Sequence, residues 1–155
     1  MSETVVGVIS DTHGLMRPQA LAALRGCDLI IHAGDVGKPE VLAALGTIAP
    51  TYAVRGNVDT GDWAEKLPAT QRVMVGERAF FVLHDIGDLA LDPAAAGFAA
   101  VVYGHSHMPS IETRDGVLFL NPGSAGPRRF KLPIALARVR VAAERLHPEI
   151  VQLAA

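Results

Sequence analysis

Short clusters of Asp, His and Asn recur along this chain, each directly after an apolar run: Asp11-Thr12-His13, Gly34-Asp35, Gly56-Asn57, His84 and Gly104-His105-Ser106-His107. Their oxygen and imidazole donors suit divalent Mn, Fe, Zn or Ni, and there are enough of them to hold two ions rather than one. Two adjacent divalent ions make phosphoester hydrolysis the first chemistry to consider. Asp11 and His13 lie two residues apart, so an extended turn can point both at one ion, and His105 and His107 repeat that spacing. Asp35 has two carboxylate oxygens and can bridge two ions, whereas Asn57 adds a neutral oxygen donor. With both ions in place, their charge exceeds what Asp11, Asp35 and a bridging hydroxide remove. The surplus would attract a phosphodiester monoanion and stabilise charge growing on the phosphorus oxygens.

Taken singly, each cluster has a plainer reading. An Asp-x-His pair is commonly a helix cap or a turn, Gly34-Asp35 and Gly56-Asn57 are good turn dipeptides, and His84 at the end of FFVLH could be a hydrogen-bonded strand histidine. The set as a whole is harder to dismiss. Five of the six histidines, His13, His32, His84, His105 and His107, fall within or beside the clusters, and only His147 lies elsewhere.

Composition narrows the alternatives. The chain has 155 residues, half of them hydrophobic, 19% charged and 5% aromatic, so Ala, Val, Leu and Ile must build the core of one domain spanning residues 1–155. A formal net charge of −2 gives no reason to expect an extended basic surface, so nucleic acid is not an expected partner. The lone Cys27 cannot form an internal disulfide, and just before an apolar strand it reads as a small buried hydrophobe rather than a nucleophile. The opening MSETVVGVIS has neither the basic region nor the long apolar core of a secretory signal, which makes the cytoplasm the expected compartment. No apolar run approaches the roughly 18 to 20 residues that span a bilayer, and no membrane association is expected.

The elements that must position the clusters alternate at first between strand and helix. Residues 4–9 (TVVGVI) predict a buried strand. Pro18 opens a helical pattern through Leu21 and Leu24 that stops at Gly26, and 28–33 (DLIIHA) predict a second strand. A short helix from Pro39 to Leu45, ended by Gly46, and a third strand from Thr51 to Val54 follow. Beyond residue 70 the pattern turns to hairpins: RVMV and AFFVL around Gly76-Glu77, the strand AAVVY leading into the histidine cluster, and IETRDGVLFL turning at Asp115-Gly116. Residues 134–153 are read as a last β-pair in preference to a helix. The fold class is therefore α/β (α+β), with four clusters at the carboxyl ends of strands, where α/β sheets place their sites.

The ordered set resembles the calcineurin-like metallophosphoesterases, and within them the small single-domain phosphodiesterases of bacteria and archaea. The family pattern D-x-H, G-D, G-N, H and G-H-x-H matches SDTHG at 10–14, HAGD at 32–35, RGNVD at 55–59, LHD at 83–85 and GHSH at 104–107, and the late NPGS at 121–124 is typical of the small members. The resemblance implies a four-layer α/β/β/α sandwich of two mixed β-sheets with helices outside. It assigns Asp11, His13, Asp35 and His107 to one metal, with Asp35 bridging to a second held by Asn57, His84 and His105. Asp35, Asn57 and His105 are the expected catalytic ligands, and a bridging water acidified by both ions is the nucleophile that hydrolyses a small-molecule phosphodiester. Two divalent ions per chain are expected, Mn first, with Fe, Zn, Ni or Mg as alternatives.

Around the ligands the reading leaves alternatives. Arg55 could contact substrate phosphate beside Asn57 or be a solvated arginine; His32 could orient a ligand or pack within its strand. Asp59 could accept a hydrogen bond from a ligand histidine or cap the following turn, and Ser106 shapes the turn between two ligands. Val58 stands where many phosphatases of the superfamily carry a histidine thought to protonate the leaving group, so diesters with good leaving groups are favoured over monoesters. Asp85 follows His84 where glycine is frequent. The same fold serves the retromer scaffold subunit for protein contacts, but there the ligand set is incomplete and here it is complete. A nuclease or cyclic-nucleotide phosphodiesterase would share the site and differ in its surroundings. Dimers occur among similar small proteins, so a homodimer is admissible.

Overall fold

The computed structural model describes residues 3–129, 131–143 and 145–153. Two five-stranded mixed sheets face each other. The first is built from β1 (Thr4–Ile9), β2 (Leu29–His32) and β3 (Thr51–Ala53), which run parallel, and from β9 (Ala135–Val141) and β10 (Leu146–Gln152) added antiparallel, in the order β10-β9-β1-β2-β3. The second contains β4 (Thr70–Val75), β5 (Arg78–Leu83), β6 (Phe98–Val102), β7 (Ser110–Arg114) and β8 (Val117–Asn121) in the order β4-β5-β6-β8-β7. Its three inner strands are parallel and both edges antiparallel.

Alternation along the strands explains the layering. Val6 and Val8 of β1 point between the sheets to meet Val82, Val102 and Leu120, whereas Ile9 points outward to a second cluster with Leu24, Val41 and Leu45. Leu24 closes helix α1 (Pro18–Ala23), and Val41 and Leu45 belong to α2 (Pro39–Gly46). Both helices open on proline at the first helical turn, where a missing N–H costs nothing. The outer face of the second sheet buries Leu83, Val101, Val117 and Phe119 beneath a single 3₁₀ turn at Ile86–Asp88 and Leu89, so the fourth layer is thin. Among the described residues, no helix is long and apolar enough to cross a membrane.

The expected elements form, with ends shifted by one or two residues, as fraying at termini allows. Residues 134–153 are the β-pair: Val139 and Val141 alternate with Arg138 and Arg140, a period of two that buries the valines between the sheets and leaves the arginines less buried. A one-turn helix, α3 (Asp62–Glu65), lies in a stretch where the pattern carries no element; Trp63 anchors it to the cluster under α1 and α2.

Candidate metal centre

The carboxyl ends of β1, β2, β3, β5 and β6 reach the same rim of the sandwich, and the loops they release carry all seven expected ligands. The backbone there is unusual. Six described residues other than glycine have positive φ, and five of them are Asp11 (56°), His13 (47°), Asp35 (54°), His105 (72°) and His107 (64°). The left-handed region is sparsely populated by residues with a Cβ, and its concentration at one rim marks loops bent to aim side chains inward. Two glycines allow the close approach. A Cβ on Gly104 would collide with Ser10 and Asp11, and one on Gly56 would overlap the backbone and carboxylate of Asp35.

Two groups of donor atoms result, Asp11 with His13 and His107, and Asp35 with His84 and His105; within each, one atom per residue lies within 4.8 Å of the others. The groups adjoin. Asp11 Oδ1 is 3.5 Å from His107 Nε2, 3.8 Å from His84 Nε2 and 3.9 Å from His13 Nε2. Asp35 Oδ2 is 3.1 Å from His84 Nε2 and 3.6 Å from His13 Nε2. Asp11 Oδ1, His13 Nε2, His84 Nε2 and His107 Nδ1 are buried without a hydrogen-bond partner. Leaving one such atom unpaired typically costs about 1–3 kcal/mol, and three of the four, Asp11 Oδ1 with His13 Nε2 and His84 Nε2 at 3.9 and 3.8 Å, meet at one place, which fits a site shaped for cations rather than a packed core. Asn57 is exposed, but Val58 next to it donates its N–H to Asp35 Oδ1 at 3.0 Å, which sets the loop against the Asp35 carboxylate.

Neighbouring groups fix which atoms face inward. His84 Nδ1 donates to the Ala33 carbonyl at 2.7 Å, leaving the Nε2 lone pair of the neutral ring toward the two carboxylates. Asp11 Oδ2 accepts the His105 N–H at 3.1 Å, which joins the first β1 loop to the β6 loop. His32 is fully buried and is not among the donors. Its Nδ1 accepts the Gly34 N–H at 3.1 Å, so Nε2 carries the proton and donates to Thr12 Oγ1 at 3.0 Å, and the Thr12 hydroxyl donates to the Val36 carbonyl at 2.8 Å. His32 thus ties the residue between Asp11 and His13 to the loop around Asp35.

Asp59 corrects one of the expected alternatives. Its buried carboxylate accepts the N–H groups of Val36 (3.2 Å), Gly37 (2.8 Å) and Gly56 (2.8 Å), and no ligand histidine. It clamps the loop after Asp35 to the loop that carries Asn57, because backbone amides outnumber imidazoles where it is buried. Asp85 accepts the Gly87 N–H and lies 3.9 Å from His105 Nε2, both side chains being partly exposed. Arg55 is exposed and its side chain makes no hydrogen bond or ion pair among the described residues. Ser106 accepts the Met108 N–H and the Asn121 amide within the histidine turn.

Charge states follow from burial and neighbours. Burial pushes the Asp11 carboxyl up to about 6, against the pull of His84. Burial also opposes ionisation of Asp35, but His84, the Val58 N–H and the charge of His13 together hold it well below the usual carboxylate range. His84 is raised: burial disfavours its charged form, and Asp35, the Ala33 carbonyl and Asp11 outweigh that. Burial, then the charge of Arg129, lowers His107 to about 4, and complete burial lowers His32 to about 3.

A profile of the calcineurin-like phosphoesterase superfamily domain matches residues 5–144. The chain belongs to that superfamily. It is 31% identical to a probable metallophosphoesterase of Methanothermobacter thermautotrophicus over 163 aligned positions, covering 97% of this chain and 94% of the relative. Among solved structures, a novel archaeal phosphodiesterase superposes with a TM-score of 0.79 at 21% identity, covering 96% of this chain and all of the other. Vacuolar protein sorting 29 from Cryptosporidium parvum superposes with a TM-score of 0.76 at 18% identity, covering 99% of each. Identities this low speak to the sandwich fold, and the fold by itself does not choose among activities.

Several residues that shape the centre escape motif reading. In NPGS, the Asn121 amide donates to the Gly104 carbonyl and to Ser106 Oγ, both at 3.1 Å, and the Ser124 hydroxyl donates to the Asp11 carbonyl at 3.0 Å. The segment therefore fastens the histidine turn of the second sheet and the Asp-x-His turn of the first. Its presence was a visible signal; its partners, 113 residues away in the case of Ser124 and Asp11, were not. Thr12, between two candidate ligands, carried no signal of its link to His32 and Val36.

Proposed function

We propose that the protein is a metal-dependent phosphodiesterase acting on small phosphodiesters. The observation that carries this reading is the pair of adjoining donor groups around two buried carboxylates, with four buried donor atoms lacking any other partner. Asp11, His13, Asp35 and His107 would hold one divalent ion, and Asp35, Asn57, His84 and His105 the other, with Mn the first choice among several that such mixed ligation accepts. Bound there, the two ions would polarise phosphoryl oxygens and acidify a water for attack at neutral pH.

The chain's own residues do the rest. The Val58 N–H occupies Asp35 Oδ1, which leaves Oδ2 directed at His13 and His84. The Ala33 carbonyl and the His32–Thr12 link keep ring and loop from turning when substrate enters. Arg129, whose charge reaches His107, adds to the attraction for an anionic ester. The Val58 side chain has no proton to give, and a site without a general acid at that position favours diesters of acidic alcohols, which depart readily as anions, over alkyl monoesters. The cytoplasm is the compartment we assign.

Reconstitution with Mn, elemental analysis and hydrolysis of bis(p-nitrophenyl) phosphate test this reading. Two ions per chain and activity that a chelator abolishes are expected. A protein that takes up no metal and gains no activity would not be this enzyme.

A further inference from the structure

Six large hydrophobic side chains stand exposed among the described residues: Leu15, Tyr52, Val58, Met74, Met108 and Ile111. Exposed hydrophobes scattered singly need no explanation. Three of these are not scattered. Leu15, Val58 and Met108 follow His13, Asn57 and His107 by two, one and one residues, and they are 38%, 45% and 56% exposed.

Backbone hydrogen bonds tie each of the three positions into a loop of the centre. The Leu15 N–H donates to the Thr12 carbonyl at 2.9 Å and closes the Asp-x-His turn, and the Val58 N–H rests on the Asp35 carboxylate. The Met108 N–H donates to Ser106 Oγ at 3.2 Å, inside the turn that Asn121 also grips. The loops are tied to one another as well, since the His105 N–H reaches Asp11 and Asp59 joins the loop of Asp35 to Gly56. Three loops that are tied together at the donor groups thus each carry an exposed hydrophobic residue within two positions of a candidate ligand, and one of these loops also carries the exposed His105. A site meant for inorganic phosphate alone would gain nothing from them, whereas a diester presents organic substituents beside its single charge.

We propose that Leu15, Val58 and Met108 form an apolar rim that receives an uncharged organic substituent of the substrate, so that phosphodiesters bearing an apolar or aromatic group are the preferred class. This rests on the phosphodiesterase reading and deepens it. The flexible thioether of Met108 suits groups of varied shape, which makes the rim selective for apolar character rather than for one structure.

The test compares methyl and phenyl p-nitrophenyl phosphate, which share a leaving group, in wild type and in the double variant Leu15→Ser with Met108→Ser. In parallel, calorimetry with the Mn-loaded protein compares binding of methylphosphonate and phenylphosphonate. A partly buried ring should give wild type a preference of about tenfold for the phenyl compounds in both measurements, and the variant should bring it toward unity. Both substituted positions are exposed, and thermal unfolding verifies that the variant remains folded. If neither diester is hydrolysed but the phenylphosphonate preference appears and is lost in the variant, the rim stands and the enzymatic reading fails. If both diesters are hydrolysed and no phenyl preference exists, or the variant retains it in full, the rim is overturned and the enzymatic reading survives. Loss of self-association in the variant with the preference intact would also overturn it, in favour of a contact between copies of the chain.

Discussion

The two donor groups differ in how they meet solvent. In one, Asp11 and His107 are buried and the His13 side chain is 22% exposed; in the other, Asp35 and His84 are buried but the His105 side chain is 46% exposed, and Asn57, proposed for the same ion, is exposed as well. The first is an enclosed position and the second an open one. Closed coordination suits an ion that stays, and an open position leaves room for substrate, so the exposed side is where an ester would enter. Asp35 Oδ2 lies 3.6 Å from His13 of the first and 3.1 Å from His84 of its own group, as its proposed bridging role requires.

That contrast can be broken most severely at Asp35. Asp35→Ala is expected to reduce bound metal from two ions to at most one and to lower turnover by about 10³-fold or more, since it removes a ligand from each position. Near-normal metal content by elemental analysis, with near-normal rate, would refute its shared role. Single-position variants sharpen the comparison: His105→Ala should retain one tightly held ion, and Asp11→Ala should lose the enclosed one. Equal affinities in metal titrations of the two variants would erase the distinction between enclosed and open.

Protons compete with metal at the same atoms, with an effect of intermediate size. The Asp11 carboxyl is raised in the folded state to about 6, so in metal-free protein its contribution favours folding below its unfolded value and is lost as pH rises toward and through 6. His84, also raised, contributes in the same direction: its stabilisation is full below its unfolded value and disappears as pH climbs through the folded one. Asp35 is depressed and acts oppositely, its stabilisation being lost only as pH falls below the ordinary carboxylate range. Metal requires the deprotonated ligands. The increase in melting temperature on adding Mn should therefore grow between pH 5 and pH 7, and an increment that is flat or shrinks over that range, measured by thermal unfolding, would contradict the assignment of Asp11.

The smallest expected effect concerns the open side. Val58→His places an imidazole beside Asn57, where general acid catalysis typically contributes on the order of 10²–10⁴-fold when well aligned. A misaligned ring should give only a few-fold gain on esters with poor leaving groups and little on aryl esters. The dependence of rate on leaving-group pKa should become shallower; an unchanged slope at unchanged metal content would mean that residue 58 does not reach the leaving group.

Much of the rim was legible because local rules suffice there. Apolar runs mark the strands, the polar clusters fall at their carboxyl ends, and the alternation of Val139 and Val141 with arginines settles residues 134–153 as strands rather than helix. Helix α3 was not legible, since one turn between Gly61 and Leu67 has too few residues to show a period and is held by Trp63 packing against distant helices. Asp59 illustrates the same boundary within the site. A carboxylate two residues after Asn57 could be read as a partner for a histidine or for a turn, and the choice fell to which N–H groups the β2 loop brought within reach.

The sequence by itself determined which chemical groups are present, their order along the chain and their places after strands, because these depend on residue type and on periodicities of a few residues. Only the tertiary structure decided that the groups divide into an enclosed and an open position around Asp35, that His32 works through Thr12, and that Asn121 and Ser124 fasten turns of two different sheets. Those facts rest on contacts such as His105 with Asp11, 94 residues apart, and on left-handed backbone at five candidate ligand positions. Neither is set by nearest neighbours: the packing of the two sheets brings the loops together, and the hydrogen bonds formed there hold the strained turns in place.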